Sequence, residues 1–288
     1  MNDITEEKTK MDNIEKIGHS LIHHGKFNNR IYLMKLHKAD HPGLLKQLNK
    51  LASENGYSKI IAKIPASAQP AFLMDGFAQE AFIPAFYNGN EDAFFMAKYL
   101  DFKRSVTDDT PLVKFVSLMD EALNINEKTF PKQFKLAITQ PEHAQEMSKL
   151  YQRVFKTYPF PITDPAYLEK TMRNGSVIYF GIWENGELAG LSSAEVDHTN
   201  KNAEMTDFAV LPEYRGHKLA YFLLKKMEDE LKEMQYKTLY TMARLNSPGM
   251  NKTFINHGYS FSGLLKNNTN ISGQIESLNV YYKTIEND

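Results

Sequence analysis

The stretch AEMTDFAVLPEYRGHKLAYFLL, residues 203–224, decides the fold that the sequence predicts. Its first nine residues favour a strand, the segment PEYRG favours a turn, and the residues after it begin a long amphipathic helix. The first turn of such a helix leaves backbone N–H groups without intrahelical acceptors, and the helix dipole adds partial positive charge there. We therefore expect either an anion-binding loop or an ordinary strand-to-helix turn at this position.

Lys218 stands where such loops usually carry glycine. Its side chain is sterically acceptable if the residue has right-handed helical dihedral angles, and its ammonium could then contact a phosphate. In the alternative, Lys218 points to water and contributes nothing to binding.

The composition excludes several classes of function. The 288 residues include 34 basic and 35 acidic side chains, so the net charge of -1 creates no global attraction to nucleic acid or anionic lipid. The absence of cysteine excludes disulfides and thiolate metal sites, and it is typical of a reducing compartment. The sequence has no apolar run of a signal peptide or membrane span, and its scattered histidines predict no metal site. We expect a cytoplasmic protein with no membrane partner.

Strand and helix patterns alternate along the chain and predict a mixed α/β fold. The segments 59–77 and 239–259 share the order strand, helix and glycine–aromatic pair, which indicates an internal repeat. We expect an N-terminal domain over residues 1–131, with residues 1–16 flexible, and a second domain over residues 132–288. The charged, turn-rich end of the first domain is the candidate linker.

From Phe134 onward the chain resembles the GNAT superfamily of acetyl-CoA-dependent N-acetyltransferases in the order of its predicted elements. The family signature is Arg or Gln, two residues, Gly, one residue, and then Gly or Ala, after a strand that contains Val. Lys218 departs from it at the central glycine. The resemblance implies the GNAT acyltransferase fold, acetyl-CoA as co-substrate, and a degenerate half-GNAT domain before the catalytic one. The matching residues are Val210, Pro212, Tyr214, Arg215, Gly216 and Ala220.

The same resemblance implies a coenzyme site built from one strand and the loop after it. The amide chain of the coenzyme would lie along the strand, where a backbone N–H can polarise the thioester carbonyl. The expected coenzyme-binding residues are Phe208, Ala209, Val210, Arg215, Gly216, His217, Lys218, Leu219, Ala220 and Asn246.

Two carboxylates on this strand are candidates for the catalytic base. Glu204 lies six residues before Val210, the offset at which several family members carry a base, whereas alternation places Asp207 on the other face of the strand. Either could instead be a solvated carboxylate or a salt-bridge partner. The family's usual acid, a tyrosine, is replaced by Phe254, so the thiolate would leave unaided or with help from another tyrosine.

Two polar, aromatic loops are candidates for the acceptor site. The first, YPFPITDP, contributes Tyr158 and Asp164, and the second, NNTNISGQIESLN, contributes Asn267, Glu276 and Asn279. A carboxylate there could hold an ammonium and the amides could supply hydrogen bonds, although ordinary turn chemistry explains the same residue types.

A closer resemblance, over most of the chain, is to the β-lysine N-acetyltransferases. It rests on the blocks FAQEAFIPAFYNGNEDAFFMAKYL, VFKTYPFPITDPAYLEKTM and GMNKTFINHGYSFSGLLKNNTNISGQIESLNVYYK. It implies acetylation of the side-chain amine of β-lysine to a compatible solute, with a lysine 2,3-aminomutase as pathway partner. The N-terminal half would be catalytically silent and could close the acceptor site or form a homodimer contact. The alternatives are another small amine, a polyamine or a peptide amine as acceptor, and a non-catalytic acyl-CoA sensor.

Overall fold

Two mixed β-sheets flanked by helices make up the structure. The computed structural model describes residues 11–120 and 128–285. The strands are β1 (Asn13–Ile17), β2 (Ser20–Gly25), β3 (Arg30–Lys35), β4 (Lys59–Pro65), β5 (Ala78–Tyr87), β6 (Glu91–Tyr99), β7 (Phe134–Ile138), β8 (Val177–Glu184), β9 (Glu187–Asp197), β10 (Asn202–Val210), β11 (Thr238–Arg244), β12 (Ser260–Ile271) and β13 (Gln274–Thr284). The helices are α1 (Leu44–Asn55), α2 (Gln69–Met74), α3 (Asp109–Asp120), α4 (Ala144–Val154), α5 (Pro165–Arg173), α6 (Leu219–Glu233) and α7 (Pro248–Asn256). None of these helices combines the length and the apolar content needed to cross a bilayer.

The two sheets share one strand order, apart from an additional edge strand, β7, in the second. The first sheet has the order β1-β2-β3-β4-β6-β5, and the second has the order β12-β13-β11-β10-β9-β8-β7. Each sheet contains one parallel pair, which is β3 with β4 in the first sheet and β10 with β11 in the second. Next to that pair, each sheet continues with two antiparallel pairings, β4–β6–β5 in the first and β11–β13–β12 in the second. This arrangement confirms the mixed α/β fold and the internal repeat that the two glycine–aromatic segments predict.

The polar N-terminal segment is ordered where the structure describes it. We expected residues 1–16 to be flexible, but residues 13–16 belong to β1, which pairs with β2 at the edge of the first sheet. The carboxylate of Asp12 anchors this strand by accepting a hydrogen bond from the backbone N–H of Phe27 at 2.9 Å. The segment before Met11 lies outside the described residues.

The expected linker contains a helix instead of an extended connection. Helix α3 carries Phe115, which is 6% exposed and whose ring centroid lies 5.1 Å from that of Phe261 on β12. The apolar face of α3 therefore packs on the second sheet. Residues 121–127 lie outside the described part of the chain.

A shared apolar cluster and buried polar contacts join the two sheets. Lys59 on β4 donates from Nζ to Oε2 of Glu80 at 2.8 Å and to the backbone carbonyl of Lys266 at 2.7 Å. Because β4 and β12 belong to different sheets, this lysine holds the two halves of the chain together. The apolar cluster takes buried side chains from both sheets, including Tyr32, Ile61, Phe86, Phe95, Tyr240, Leu278 and Val280.

The strands β10 and β11 separate partway along their length. They pair in parallel over three residues each, which end at Glu204 and Tyr240. Beyond that point β10 continues beside β9 to Val210, with a β-bulge between Thr206 and Ala209, while β11 follows β13. The divergence opens the second sheet at its centre.

Candidate active site

The separation of β10 and β11 opens a cleft of about 540 Å³. One wall is the edge of β10 from Met205 to Val210, and the other is the edge of β11 from Thr241 to Arg244. Because the pairing of these edges with each other has ended, their backbone groups can bond to an extended ligand that lies between them. Helix α7 and the loop before α6 complete the lining.

Lys218 caps the N-terminus of α6 in a left-handed conformation, with φ 59° and ψ 29°. The right-handed alternative considered for this residue is therefore wrong, and the backbone has the geometry that glycine adopts without steric cost. Gly216, two residues earlier, also has a positive φ, of 92°. Since both residues and Ala220 line the cleft, the first turn of α6 borders it with its unpaired N–H groups.

A cluster of cations surrounds this helix terminus. A second cavity of about 670 Å³ shares Gly216, Lys218 and Ala220 with the cleft and is also lined by Lys128 and Lys252. Burial, together with the charges of Lys218 and Lys252, lowers the pKa of Lys128. Three ammonium groups at a helix N-terminus favour the binding of a multiply charged anion.

The middle of the cleft is aromatic. The ring of Phe208 on β10 meets that of Phe254 on α7 edge to face, with centroids 5.6 Å apart. Phe254 is 1% exposed and carries no hydroxyl, so it cannot protonate a leaving group. Among the described residues, Tyr158 and Tyr214 are the tyrosines that line the cleft.

Glu204 lies in a small cavity beside the cleft, directly across the β9–β10 pairing from Glu195. Burial raises the pKa of Glu204, and burial with the charge of Glu204 raises the pKa of Glu195 to about 8. The hydroxyl of Tyr240 hydrogen-bonds to Glu204 and accepts a hydrogen bond from Nζ of Lys63 at 2.8 Å. One of the two carboxyls therefore holds a proton near neutral pH, and Glu204 is poised to accept another.

Asp207 points to the same side of β10 as Glu204, which contradicts the expectation from alternation. Asp207 has a φ of 56° within the bulge, and the extra residue turns its side chain onto the face that carries Ser193 and Glu195. Ser193 Oγ donates to one carboxylate oxygen at 2.5 Å and the hydroxyl of Tyr158 donates to the other. With both oxygens engaged, Asp207 positions Tyr158, and Glu204 is the better candidate for the base.

The comparisons with known proteins agree with this geometry. A family model described as the acetyltransferase (GNAT) family matches residues 144–258. A protein named β-lysine N(6)-acetyltransferase from Methanococcus maripaludis is 40% identical over 277 residues, which cover 96% of this chain and 100% of that protein. This chain belongs to the GNAT family of acetyltransferases. The protein N-acetyltransferase YodP from Bacillus subtilis is 32% identical over 92% of this chain and 96% of its own length. A second β-lysine N(6)-acetyltransferase, from Methanosarcina mazei, is 28% identical over 83% of this chain and 95% of its own length.

Most coenzyme-binding residues expected from the GNAT signature border the cleft. His217 instead lines the adjoining cationic cavity. Ala209 is fully buried and packs in the apolar cluster on the α4 side of the sheet, while Asn246 is exposed and its neighbour Ser247 lines the cleft. The expected residues that line the cleft are Phe208, Val210, Arg215, Gly216, Lys218, Leu219 and Ala220.

Of three residues that the two polar loops were expected to contribute to the acceptor site of this GNAT enzyme, one borders the site and two do not. Tyr158 borders both the cleft and the small cavity. Asp164 is exposed and accepts a hydrogen bond from the backbone N–H of Ala166 at 3.0 Å, as the N-cap of α5. Asn267 donates from Nδ2 to the backbone carbonyl of Arg104 at 3.0 Å, so it connects the two halves of the chain. Asp164 and Asn267 therefore have structural roles away from both cavities.

Glu276 and Asn279 lie behind the cleft rather than in it. Glu276 is 2% exposed, and Arg244 donates to its two oxygens from Nε at 2.8 Å and from Nη2 at 2.6 Å. Because Arg244 lines the cleft, this pair fixes the orientation of its guanidinium. Asn279 is fully buried and donates to Oδ1 of Asn251 at 2.8 Å.

Sequence reasoning missed the residues that only packing brings to the site. The register of the β9–β10 pairing, which was not predicted from the sequence, makes Glu195 the neighbour of Glu204. Lys63 and Lys128 come from the first half of the chain, which carries no signature motif. No local pattern indicates their positions, because these depend on how the two sheets dock.

Proposed function

We propose that this chain transfers an acetyl group from acetyl-CoA to the side-chain amine of a small amino acid, and that β-lysine is the acceptor. The observation that carries the proposal is the continuity of the cleft with the small cavity of Glu204, since Tyr158, Thr206 and Asp207 line both. Relatives named β-lysine N(6)-acetyltransferase, 40% and 28% identical to this chain, support the choice of acceptor.

The residues of the cleft fit a coenzyme with an extended amide chain and a phosphate-bearing end. The free edge of β10 suits the amide chain, and Lys128, Lys218 and Lys252 beside the N-terminus of α6 suit the phosphates. Acetyl-CoA, when bound, would supply an acetyl thioester. Attack of the amine on its carbonyl carbon forms the amide and breaks the C–S bond, and coenzyme A leaves as the thiolate. The rings of Phe208 and Phe254 exclude water from the middle of the cleft and so limit hydrolysis.

Glu204 takes the proton that the attacking ammonium must lose. Burial raises its pKa above that of a solvated glutamate, which brings its basicity closer to that of an amine. The hydrogen bonds from Lys63 to Tyr240 and from Tyr240 to Glu204 hold the carboxylate in place. A backbone N–H on the free edge of β10 polarises the carbonyl under attack.

The direct test is an acetylation assay with a panel of amines. Purified protein is incubated with acetyl-CoA and β-lysine, lysine, spermidine or a peptide; thiol release reports turnover and mass spectrometry locates the acetyl group. We expect the fastest turnover with β-lysine and acetylation of its side-chain amine. Glu204→Gln should lower kcat by about 10²- to 10⁴-fold, the usual contribution of a general base.

Glu187→Gln is the matched control, since Glu187 is an exposed glutamate at the far end of β9. It should retain the activity of the unmodified protein. Faster turnover of a polyamine or a peptide than of β-lysine would contradict the acceptor. Tight coenzyme binding without acetylation of any amine would contradict acetyl transfer and favour a sensor.

A further inference from the structure

The small cavity lies between the two sheets and takes its walls from both halves of the chain. Its volume is about 90 Å³. A water molecule takes up about 30 Å³ of liquid, so the space suits one polar head of a ligand whose remainder extends into the cleft. The lining of this cavity includes Arg30 and Tyr32 on β3 and Lys63 on β4, together with Glu195 and Glu204. The half of the chain without a coenzyme loop therefore contributes to the acceptor site.

Arg30 is a buried cation whose hydrogen-bonding capacity is only partly used. It is 3% exposed, and its Nε and Nη1 have no hydrogen-bond partner among the described residues. The ring of Tyr32 lies 5.3 Å from the guanidinium carbon and offers a weak cation–π contact, but no anion. Burial lowers the pKa of Arg30 although the charges of Asp12 and Glu80 oppose this. Neither carboxylate is hydrogen-bonded to its Nε or Nη1, so stability does not explain this residue.

Other buried cations at the same interface are paired. Lys59 lies beside Arg30 in the register of β3 and β4, and its ammonium bonds to Glu80. Arg104 donates from Nη1 to Oγ of Ser58 at 3.0 Å and from Nη2 to the backbone carbonyl of Asn28 at 2.7 Å. The side chains of Lys59 and Arg104 are thus hydrogen-bonded, whereas Nε and Nη1 of Arg30, a residue that lines the small cavity, lack partners among the described residues.

The second half of the chain supplies the complementary charge to the lining of this cavity. Glu195 and Glu204 are direct cross-strand neighbours on the β9–β10 pairing, and Asp207 borders the same cavity. Carboxylates placed in this way attract ammonium groups, as the guanidinium of Arg30 attracts a carboxylate. Together with the adjoining cleft, the cavity therefore offers separate positions to the two charges of a zwitterion.

We propose that Arg30 binds the carboxylate of the acceptor, while Glu204, beside Glu195, receives the ammonium group that reacts. This inference rests on the proposed acetyl transfer and assigns the acceptor class: a free amino acid rather than a polyamine. A polyamine carries no anion for the guanidinium and would leave two cations facing each other in a buried space. The N-terminal half is then a recognition element and not a silent one.

The experiment compares Arg30→Met with the unmodified protein on two acceptors. One is β-lysine and the other is 1,4-diaminopentane, which is β-lysine without its carboxyl group. We expect kcat/KM for β-lysine to fall by about 10- to 100-fold, the range for losing one hydrogen bond between charged groups, with little change for the diamine. Thermal shift without coenzyme gives an independent readout: β-lysine should raise the Tm of the unmodified protein and not that of Arg30→Met.

Two further variants separate recognition from structure. Arg173→Met is the matched control, since Arg173 is an exposed arginine on α5, and it should change neither readout. Arg30→Lys retains the charge and should recover part of the β-lysine response. The Tm of Arg30→Met without ligand should equal or exceed that of the unmodified protein, because an uncompensated buried charge is removed.

The failures of the two proposals are distinguishable. If the unmodified protein acetylates β-lysine and Arg30→Met keeps the same preference over the diamine, the role of Arg30 is overturned and acetyl transfer stands. If no amine is acetylated, the proposal of acetyl transfer is wrong. The rise in Tm that β-lysine causes then tests the role of Arg30 separately. That role is overturned if β-lysine raises the Tm of Arg30→Met as much as that of the unmodified protein.

Discussion

Lys218 combines an unfavourable backbone conformation with a favourable charge. A residue with a Cβ in the left-handed region costs about 1 kcal/mol relative to glycine. Lys218 has a φ of 59° at the start of α6, and its ammonium lies near those of Lys128 and Lys252. We therefore propose that the charge of this cluster contributes to coenzyme binding and offsets the local strain.

Lys218→Gly should raise stability and weaken coenzyme binding at the same time. Relief of the left-handed strain should raise the free energy of unfolding by about 0.5–1 kcal/mol. Loss of one ammonium should raise the Kd for CoA by about 3- to 10-fold at low salt, and less at high salt, since such contacts are screened. Urea denaturation and calorimetry measure the two effects.

Lys201→Gly is the control for this prediction. Lys201 also has a left-handed backbone, with a φ of 52°, but it lies in the turn between β9 and β10, away from the cleft. It should change stability without changing CoA affinity. Unchanged or tighter CoA binding by Lys218→Gly would mean that the lysine is only a tolerated bystander.

The bulge in β10 determines which side chains reach the acceptor cavity. Alternation along a regular strand would place Glu204 and Asp207 on opposite faces. The extra residue between Thr206 and Ala209 brings both to one face while Phe208 and Val210 remain directed at the cleft. One strand thereby supplies the proposed base, an anchored carboxylate and a wall of the cleft.

The pairing of β9 with β10 should also make stability depend on pH. Burial and the charge of Glu204 raise the pKa of Glu195 to about 8, against the opposing effect of Lys63. A raised pKa means that the folded state holds the proton more tightly than the unfolded state. Its stabilising contribution is present below the ordinary glutamate pKa and is lost as the pH rises towards 8.

Glu195→Gln should remove this dependence, because glutamine stays neutral. The free energy of unfolding of the variant, relative to that of the unmodified protein, should rise by on the order of 1–3 kcal/mol between pH 5 and pH 8.5. Urea denaturation at several pH values measures the difference, with the exposed Glu187→Gln as control. If plots of the free energy of unfolding against pH stay parallel for Glu195→Gln and the unmodified protein across this range, the raised pKa of Glu195 is contradicted.

At the scale of the whole molecule, the two sheets form a continuous structure. Tyr32 and Phe86 of the first sheet share an apolar cluster with Tyr240 and Val280 of the second. The buried pair of Lys59 and Glu80 lies at the same junction, with side chains 0% and 5% exposed. We therefore expect the two halves to unfold together in one transition.

Lys59→Met should destabilise the whole protein. It leaves the carboxylate of Glu80 buried without its cation, which typically costs 3–5 kcal/mol, about a third or more of the stability of many domains. Denaturation followed by circular dichroism and by the fluorescence of Trp183 in the second sheet should give coincident midpoints that shift together. Lys59→Met/Glu80→Gln should recover much of the loss.

Lys50→Met is the control, because Lys50 makes only an exposed contact with Glu54 at 3.8 Å. It should change stability by less than about 0.5 kcal/mol. Two separate transitions, or a shift confined to one probe, would show that the sheets unfold independently.

The sequence by itself determined the order of elements and the positions of the proposed coenzyme loop and the proposed base. These features depend on local chemistry: the period of apolar residues, the turn before α6, and the offset of Glu204 from Val210. Such features can be predicted from the local sequence because each helix or strand has its own backbone geometry and its own apolar face.

Only the tertiary structure decided which side chains share the acceptor cavity. The bulge redirects Asp207, strand register sets Glu195 beside Glu204, and docking of the first sheet brings Arg30 into the lining of the same cavity. Arg30 and Glu204 are far apart in the chain, and their proximity comes from burial of apolar surface between two sheets. Such long-range packing leaves no periodic signal at either residue, so the sequence predicts the chemistry of transfer more fully than the recognition of its acceptor.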